Sequence, residues 1–438
     1  MCENKKHLKQ QGLLMKLTSI ALSIFAFTAS MSALAEDLII HADAALDVKT
    51  GKLIKPVTLV VDDNKISEIK RGHSKVSGDY KVIELPGHTL LPGLFDMHVH
   101  LTSDSQVHGY KRLQRTSQRA AITGVRNAKR TLEAGFTSVR NLGAVGYSDI
   151  ALKQAIYDGD VPGPRIFASG PSLGVTGGHC DNNLLTHEHA VTAKGVADGP
   201  WAVRAKVREN IKFGADVIKY CATGGVLSKG TKVGAQQYTQ EEMDAIVSEA
   251  HLRGLTVAAH AHGTEGIKSA IKAGVDSVEH VSFLDDEAIM LAKKHGTYFS
   301  MDIYNTEYIL GEGEKAGILE ESLNKERVVG ARQRASFGKA VKAGVKMVFG
   351  SDAGVYPHGD NGKQFSRMVK FGMTELQALQ AATITPATLL KQDQKLGSLE
   401  VGKYADFIAV KGNPLENISV MEQVSFVVKD GEIEVDKR

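Results

Sequence analysis

The chain has 438 residues, 42% hydrophobic and 24% charged, enough apolar content to bury a large core and to exclude wholesale disorder. Lys and Arg number 53 against 50 Asp and Glu, a net charge of +3, which argues against a nucleic-acid-binding protein with its basic excess. The 44 glycines suit a fold with many strand–helix corners better than a helical bundle.

Lys5, Lys6, Lys9 and Lys16 precede an apolar run from Leu17 to Ala29, and Ala33-Leu34-Ala35 supplies a small-x-small cleavage pattern. This reads as a secretory signal peptide over residues 1–35, with Met15 an alternative start, so the protein is expected to be secreted or periplasmic. The run is shorter than the roughly 20 residues that span a bilayer and is broken by Ser and Thr, so no stable membrane anchor is expected. The remainder carries 49 basic and 49 acidic residues, and charge steering says nothing about its partner. Two of the three cysteines, Cys180 and Cys221, follow the leader. In an oxidising compartment they can pair, or stay as two small buried thiols; either way they make no disulfide framework.

Residues 36–90 alternate apolar and polar positions, with a hairpin signal in TLVVDDNKISEIK turning at Asp62-Asp63-Asn64. From residue 91 a different unit recurs, a helix-like segment that ends in Gly and passes into a short β-rich run. It is seen at Gly135, Gly214, Gly254, Gly274, Gly296 and Gly344. Thr239 with Glu242 predicts a capping box, and Thr264 is placed to cap the next helix. With LFDMHVH and RIFASG added, eight strands alternate with helices, which predicts a (β/α)8 barrel over 91–396. An open doubly wound sheet is the alternative, but no dinucleotide fingerprint or Walker loop follows the first strand. Residues 397–438 return to β alternation, with a turn at Lys429-Asp430-Gly431. The two terminal segments are each too short for a core and are expected to pair into one small β-sandwich domain.

Active sites of such barrels lie at the C-terminal strand ends. Five of the eight predicted strands place a ligand-type residue there: His98 and His100, Lys219, His260 with His262, His280 beside Glu279, and Asp352. His98 and His100 share a face and can reach one cation. Lys219 lies in the apolar strand DVIKYC, where an ammonium is costly unless its pKa falls or it finds a partner. It either pairs with a carboxylate such as Asp352 or, as a neutral amine, adds carbon dioxide to give an anionic carbamate able to bridge two metals.

LPGLFDMHVHL, the fourth-strand lysine, the two later histidines and FGSDAG together resemble the amidohydrolase superfamily of metal hydrolases, from about Asp37 to the C-terminus. TGGHCD, IKYCATGGVLS, QQYTQEE and VAAHAHGTEGIKSAIKAGVDSVEH resemble its Xaa-Pro dipeptidase-like branch, which includes carboxypeptidase-like dipeptidases and ochratoxin-type amidases. The resemblance implies two divalent metal ions, zinc expected. His98, His100 and Asp352 would hold the more buried ion, His260 and His280 the outer one, and Lys219 as N6-carboxylysine would bridge them. His260 and His262 share a face and either could serve; the branch spacing of 20 residues to His280 selects His260. The implied reaction is hydrolysis of dipeptides or N-acyl amino acids by a metal-bridged hydroxide, with Asp352 as the catalytic acid–base. A cyclic amide or lactone hydrolase is the alternative. His179, Tyr238 and His358 resemble branch positions that face the substrate. Asn141 and Gln364 depart from the acidic residues common there. Relatives imply a homo-oligomer, while a nucleic-acid partner is not expected.

Overall fold

The computed structural model describes residues 37–75 and 77–438. The expected leader, residues 1–35, lies outside the described residues. Apolar–polar alternation at the two chain ends produces strands: β1 (Leu38–Asp47), β2 (Lys52–Ile54), β3 (Val57–Asp62), β4 (Lys65–Arg71) and β5 (Lys81–Pro92). The barrel strands follow: β6 (Leu94–Val99), β7 (Phe136–Asn141), β8 (Arg165–Ala168), β9 (Val217–Cys221), β10 (Thr256–Ala261), β11 (Ser277–His280), β12 (Tyr298–Ser300) and β13 (Met347–Val348). The chain returns through β14 (Phe407–Lys411), β15 (Phe426–Lys429) and β16 (Glu432–Asp436).

The terminal strands join in one continuous sheet of eight, in the order β16-β15-β14-β5-β1-β3-β4, with β2 on β1. The seam between the two ends is the antiparallel pairing of β14 with β5, where Ile408 lies opposite Leu91. Alternation divides the burial. Phe407, Ala409, Phe426 and Val428 enter a core private to this sheet, while Ile408, Val410 and Val427 join the core shared with the barrel. The β15–β16 turn places Asp430 and Gly431 at φ 50° and 84°, the pair of positive values that a two-residue hairpin requires.

The barrel is two arcs. β6-β7-β8 form one and β9 to β13 the other, all parallel. Parallel bridges close the ring at both gaps, Leu173 with Tyr220 and Val99 with Ala353. Helices lie between the strands as the glycine-terminated units predict. Gly274 and Gly344 close helices Thr264–Ala273 and Glu320–Ala343 in the left-handed conformation. Thr239 and Glu242 make the expected capping box. Thr264 does not cap its helix. Gly263 takes that position, and the Thr264 hydroxyl donates instead to the Phe283 carbonyl at 2.6 Å. Cys180 and Cys221 are disulfide-bonded, tying the loop after β8 to the end of β9. No helix among the described residues is long and apolar enough to cross a membrane.

Candidate metal centre

Strand alternation decides what faces the barrel interior. In β9, Lys219 points inward, while Ile218 and Tyr220 join the core between sheet and helices. The neighbouring strands bring His98, His260 and His280 to the same end, and all four side chains are buried. The Asp352 backbone N–H donates to the His98 carbonyl at 2.7 Å. Its carboxylate Oδ1 then lies 3.1 Å from His100 Nε2 and 3.5 Å from His98 Nε2. Asp352 and His280 hold φ of 58° and 72°, a region sparsely used by residues with a Cβ and concentrated at functional sites.

A second layer holds these groups. His280 Nδ1 donates to Asp302 Oδ1 at 2.7 Å, which leaves Nε2 with its lone pair facing the cluster. Gln333 donates to the same Asp302 oxygen at 2.9 Å. The Asn305 amide donates to Asp302 Oδ2 at 2.7 Å and to Asp352 Oδ2 at 2.9 Å, linking the two carboxylates. Inside the barrel, Arg140 donates to the Met97 carbonyl, Ser277 Oγ and Glu279 Oε1 at 2.7–2.9 Å. Glu279 Oε2 lies 3.2 Å from His98 Nδ1.

The electrostatics favour lone pairs over protons. Burial, then the nearby Lys219 ammonium, pulls His98 down to about 4. Burial also holds His260 and His262 well below the usual imidazole range. Burial pulls Lys219 down to about 8. Burial alone would raise Asp352, but the His98 and His100 imidazoles beside it hold its carboxyl well below the carboxylate range. Burial alone would lower His280, but the Asp302 carboxylate hydrogen-bonded to it raises it above the usual imidazole value. The site therefore presents neutral imidazoles on His98, His260 and His262 beside an ionised Asp352 near pH 7.

These residues fit a divalent metal. Two sets of ligand atoms lie within 4.8 Å of one another, His98–His280–Asp352 and His260–His262–His280. Lys219 Nζ and His260 Nε2 are buried with no hydrogen-bond partner among the described residues, an unfavourable state unless another ligand meets them. Imidazole and carboxylate donors suit zinc and similar ions. His262 joins the cluster too, with Nδ1 paired to Ser282 Oγ at 2.7 Å; the partnerless Nε2 is on His260.

The three expected substrate contacts divide. His179 stands at the cluster, its ring stacked 4.2 Å from that of His260 and its Nδ1 2.8 Å from Ser228 Oγ. Tyr238 does not reach the site. It packs edge-on against Tyr220, on the outward side of β9, and its hydroxyl donates to the Ala197 carbonyl at 3.0 Å. His358 is also spent on the protein, since Nε2 donates to the His100 carbonyl and Nδ1 meets the Thr131 hydroxyl at 2.8 Å. It positions the strand end that bears His100. Asn141 accepts the Leu101 N–H at 2.7 Å, fixing the turn after His100. Gln364 accepts from the Tyr304 N–H and donates to the Met301 and Gly350 carbonyls, joining the ends of β12 and β13. Sequence reasoning missed Asp302, Asn305 and Arg140. Asp302 carried a readable signal, an acidic residue just past a barrel strand.

Residues 89–433 match the amidohydrolase family. The chain is 34% identical over 367 residues to ochratoxinase of Aspergillus niger, covering 78% of this chain and 75% of that protein. Among solved structures it superposes on a Xaa-Pro dipeptidase with bound methionine in the active site, with TM-score 0.87 and 43% identity, over 91% of this chain and 99% of that one. A prolidase complexed with N-methylphosphonate-L-proline gives a TM-score of 0.84 at 31% identity, over 92% and 100% of the two chains. Barrel, strand-end ligands and relatives agree, and the chain belongs to the amidohydrolase family, as a hydrolase of amide bonds in the dipeptidase-like branch.

Proposed function

We propose that the chain is a binuclear metal-dependent amidase that cleaves dipeptides or N-acyl amino acids and releases the C-terminal amino acid. The observation that carries this reading is the convergence of candidate ligands from four other strand ends towards Lys219, whose buried Nζ has no hydrogen-bond partner among the described residues. His98, His100 and Asp352 would hold one divalent ion, His260 and His280 the other, and Lys219 as a carbamate would bridge them. The carbamate forms when the neutral amine adds to carbon dioxide. An N–C bond is made, one amine proton leaves to solvent, and the side chain becomes an anion that would complement the two bound cations.

When bound, two such ions lower the pKa of water towards neutrality and polarise the scissile carbonyl. The remaining work falls to the chain's own groups. Asp352 is ionised and faces both first-strand imidazoles, so its carboxylate is placed to take the proton of the attacking water and return it to the leaving amine nitrogen. Asn305 and the His98 carbonyl fix that carboxylate through its other oxygen and its backbone. His179, with Nδ1 engaged by Ser228, has Nε2 left to meet the substrate. The ligands of the two solved relatives, methionine and a phosphonate-linked proline, each carry an α-carboxylate, which supports a substrate ending in a free amino acid.

We also propose export, which the leader-like pattern supports and to which the Cys180–Cys221 bond is suited. A panel of dipeptides, N-acyl amino acids and lactones tests the reaction. The expected result is amide cleavage by the native chain and none by Lys219→Ala; turnover confined to lactones would refute the dipeptidase reading.

A further inference from the structure

We propose that Arg112, on the loop that covers the barrel rim, is the specificity-determining residue that binds the α-carboxylate of the released amino acid; this rests on the amidase reading above. Arg112 lies in a short helical segment, Gly109–Gln114, within the loop after β6. Lys229, in the loop after β9, donates to the Tyr110 hydroxyl at 2.8 Å. The Gln106 amide donates to the hydroxyl of Tyr308 at 3.0 Å, on the helix Asn305–Ala316 that follows β12. In the barrel β6 is the first strand and β9 the fourth, and the neighbours of β6 are β7 and the segment after β13. Strands so far apart in an eight-membered ring are not neighbours, so the two loops meet over the rim where the candidate ligands gather.

This crossing lies beside His179. Lys229 directly follows Ser228, whose hydroxyl meets His179 Nδ1 at 2.8 Å, so Tyr110 is tied to the segment that orients that ring. Arg112 stands two residues beyond Tyr110. Its charge reaches the same ring: burial first, then the charges of His280, Lys219 and Arg112, pull His179 down to about 3. The imidazole whose Nε2 is left for the substrate therefore has a guanidinium within electrostatic reach.

The guanidinium is unclaimed. No carboxylate or carbonyl among the described residues pairs with it. Its side chain is open to solvent, while the loop atoms crowded about it lower its pKa by desolvation. An unpaired cation in such a setting attracts an anion more strongly than one in bulk water, and the arginine fork matches a carboxylate with two parallel N–H donors. The surrounding charge has the same sign. Between Asp104 and Glu133 the chain carries seven Lys and Arg and no Asp or Glu. Among the described residues only Arg115 and Arg126 of these seven have a carboxylate nearby, that of Asp104, at 3.5 Å. In dipeptides and N-acyl amino acids alike, the one anion always present is the α-carboxylate, a single carbon from the leaving nitrogen. Holding it at the rim sets that nitrogen towards the candidate ligands below and rejects a chain that continues past the cleaved residue.

The test is calorimetric titration of the full chain with L-methionine and L-proline, each against its carboxamide, for the native protein, Arg112→Met, Arg112→Lys and Arg119→Met. Arg119 is a second exposed, unpaired cation of the same run and controls for diffuse charge. The native chain is expected to bind at least one free acid about 10- to 100-fold more tightly than its amide. Arg112→Met is expected to lose most of that preference, Arg112→Lys to keep part of it and Arg119→Met to keep it all. No preference in the native chain, an undiminished preference in Arg112→Met, or an equal loss in Arg119→Met would overturn the proposal. Product binding needs no turnover, so the two readings fail separately: a preference that depends on Arg112 in a chain that cleaves no dipeptide or N-acyl amino acid would uphold the carboxylate site and refute the amidase.

Discussion

Arg140 is fully buried, and its guanidinium has three acceptors among the described residues, one of them the equally buried Glu279. Removing one partner of such a pair strands a charge in a low-dielectric interior. Arg140→Met is therefore expected to cost about 3–5 kcal/mol, and Arg140→Met with Glu279→Leu much less, as thermal unfolding of the three proteins would report. Equal losses in the single and double variants would contradict the buried-pair account. At the same scale, Tyr238→Phe removes a buried hydroxyl bonded to the Ala197 carbonyl rather than a substrate contact. It is expected to lower stability by about 1 kcal/mol and to leave KM and kcat unchanged, which steady-state kinetics can check. His98, His100, Lys219 and Asp352 were legible in the sequence because strand ends are locally encoded and their residue types are chemically distinctive. Tyr238 and His358 were misplaced because loop side chains are aimed by tertiary contacts: the Ala197 carbonyl for one, Thr131 and the His100 carbonyl for the other.

The elements follow the local pattern closely where one period dominates. All eight barrel strands arise where a glycine-terminated helix or an apolar run predicts them, and the Thr239 capping box forms. Thr264 shows the limit. Its hydroxyl has a better acceptor in the Phe283 carbonyl, and no sequence window contains that choice. The pairing of Cys180 with Cys221 was left open for the same reason, since it depends on how the loop after β8 crosses β9. The disulfide closes a separation of 41 residues, and in the chain-entropy account is worth up to about 4 kcal/mol. Its loop also carries His179, so Cys180→Ser with Cys221→Ser is expected to lower the thermal midpoint and raise KM more than it lowers kcat. A double variant with native KM would show that the bond does not position His179.

At the scale of the molecule, the two chain ends close one sheet whose alternate residues enter the barrel core, so the frame that aims the ligands depends on both termini. That closure was readable as two orphan β segments, while the strand order was not, because register between distant segments leaves no local mark. The barrel then gathers imidazoles, a carboxylate and one buried amine at a single rim, and the proposed chemistry rests on their holding metal. The decisive measurement is elemental analysis of the purified chain, paired with activity before and after chelation. About two divalent ions per chain, lost together with activity and restored together on adding metal back, is the predicted result. Full activity in a preparation stripped of metal would contradict it.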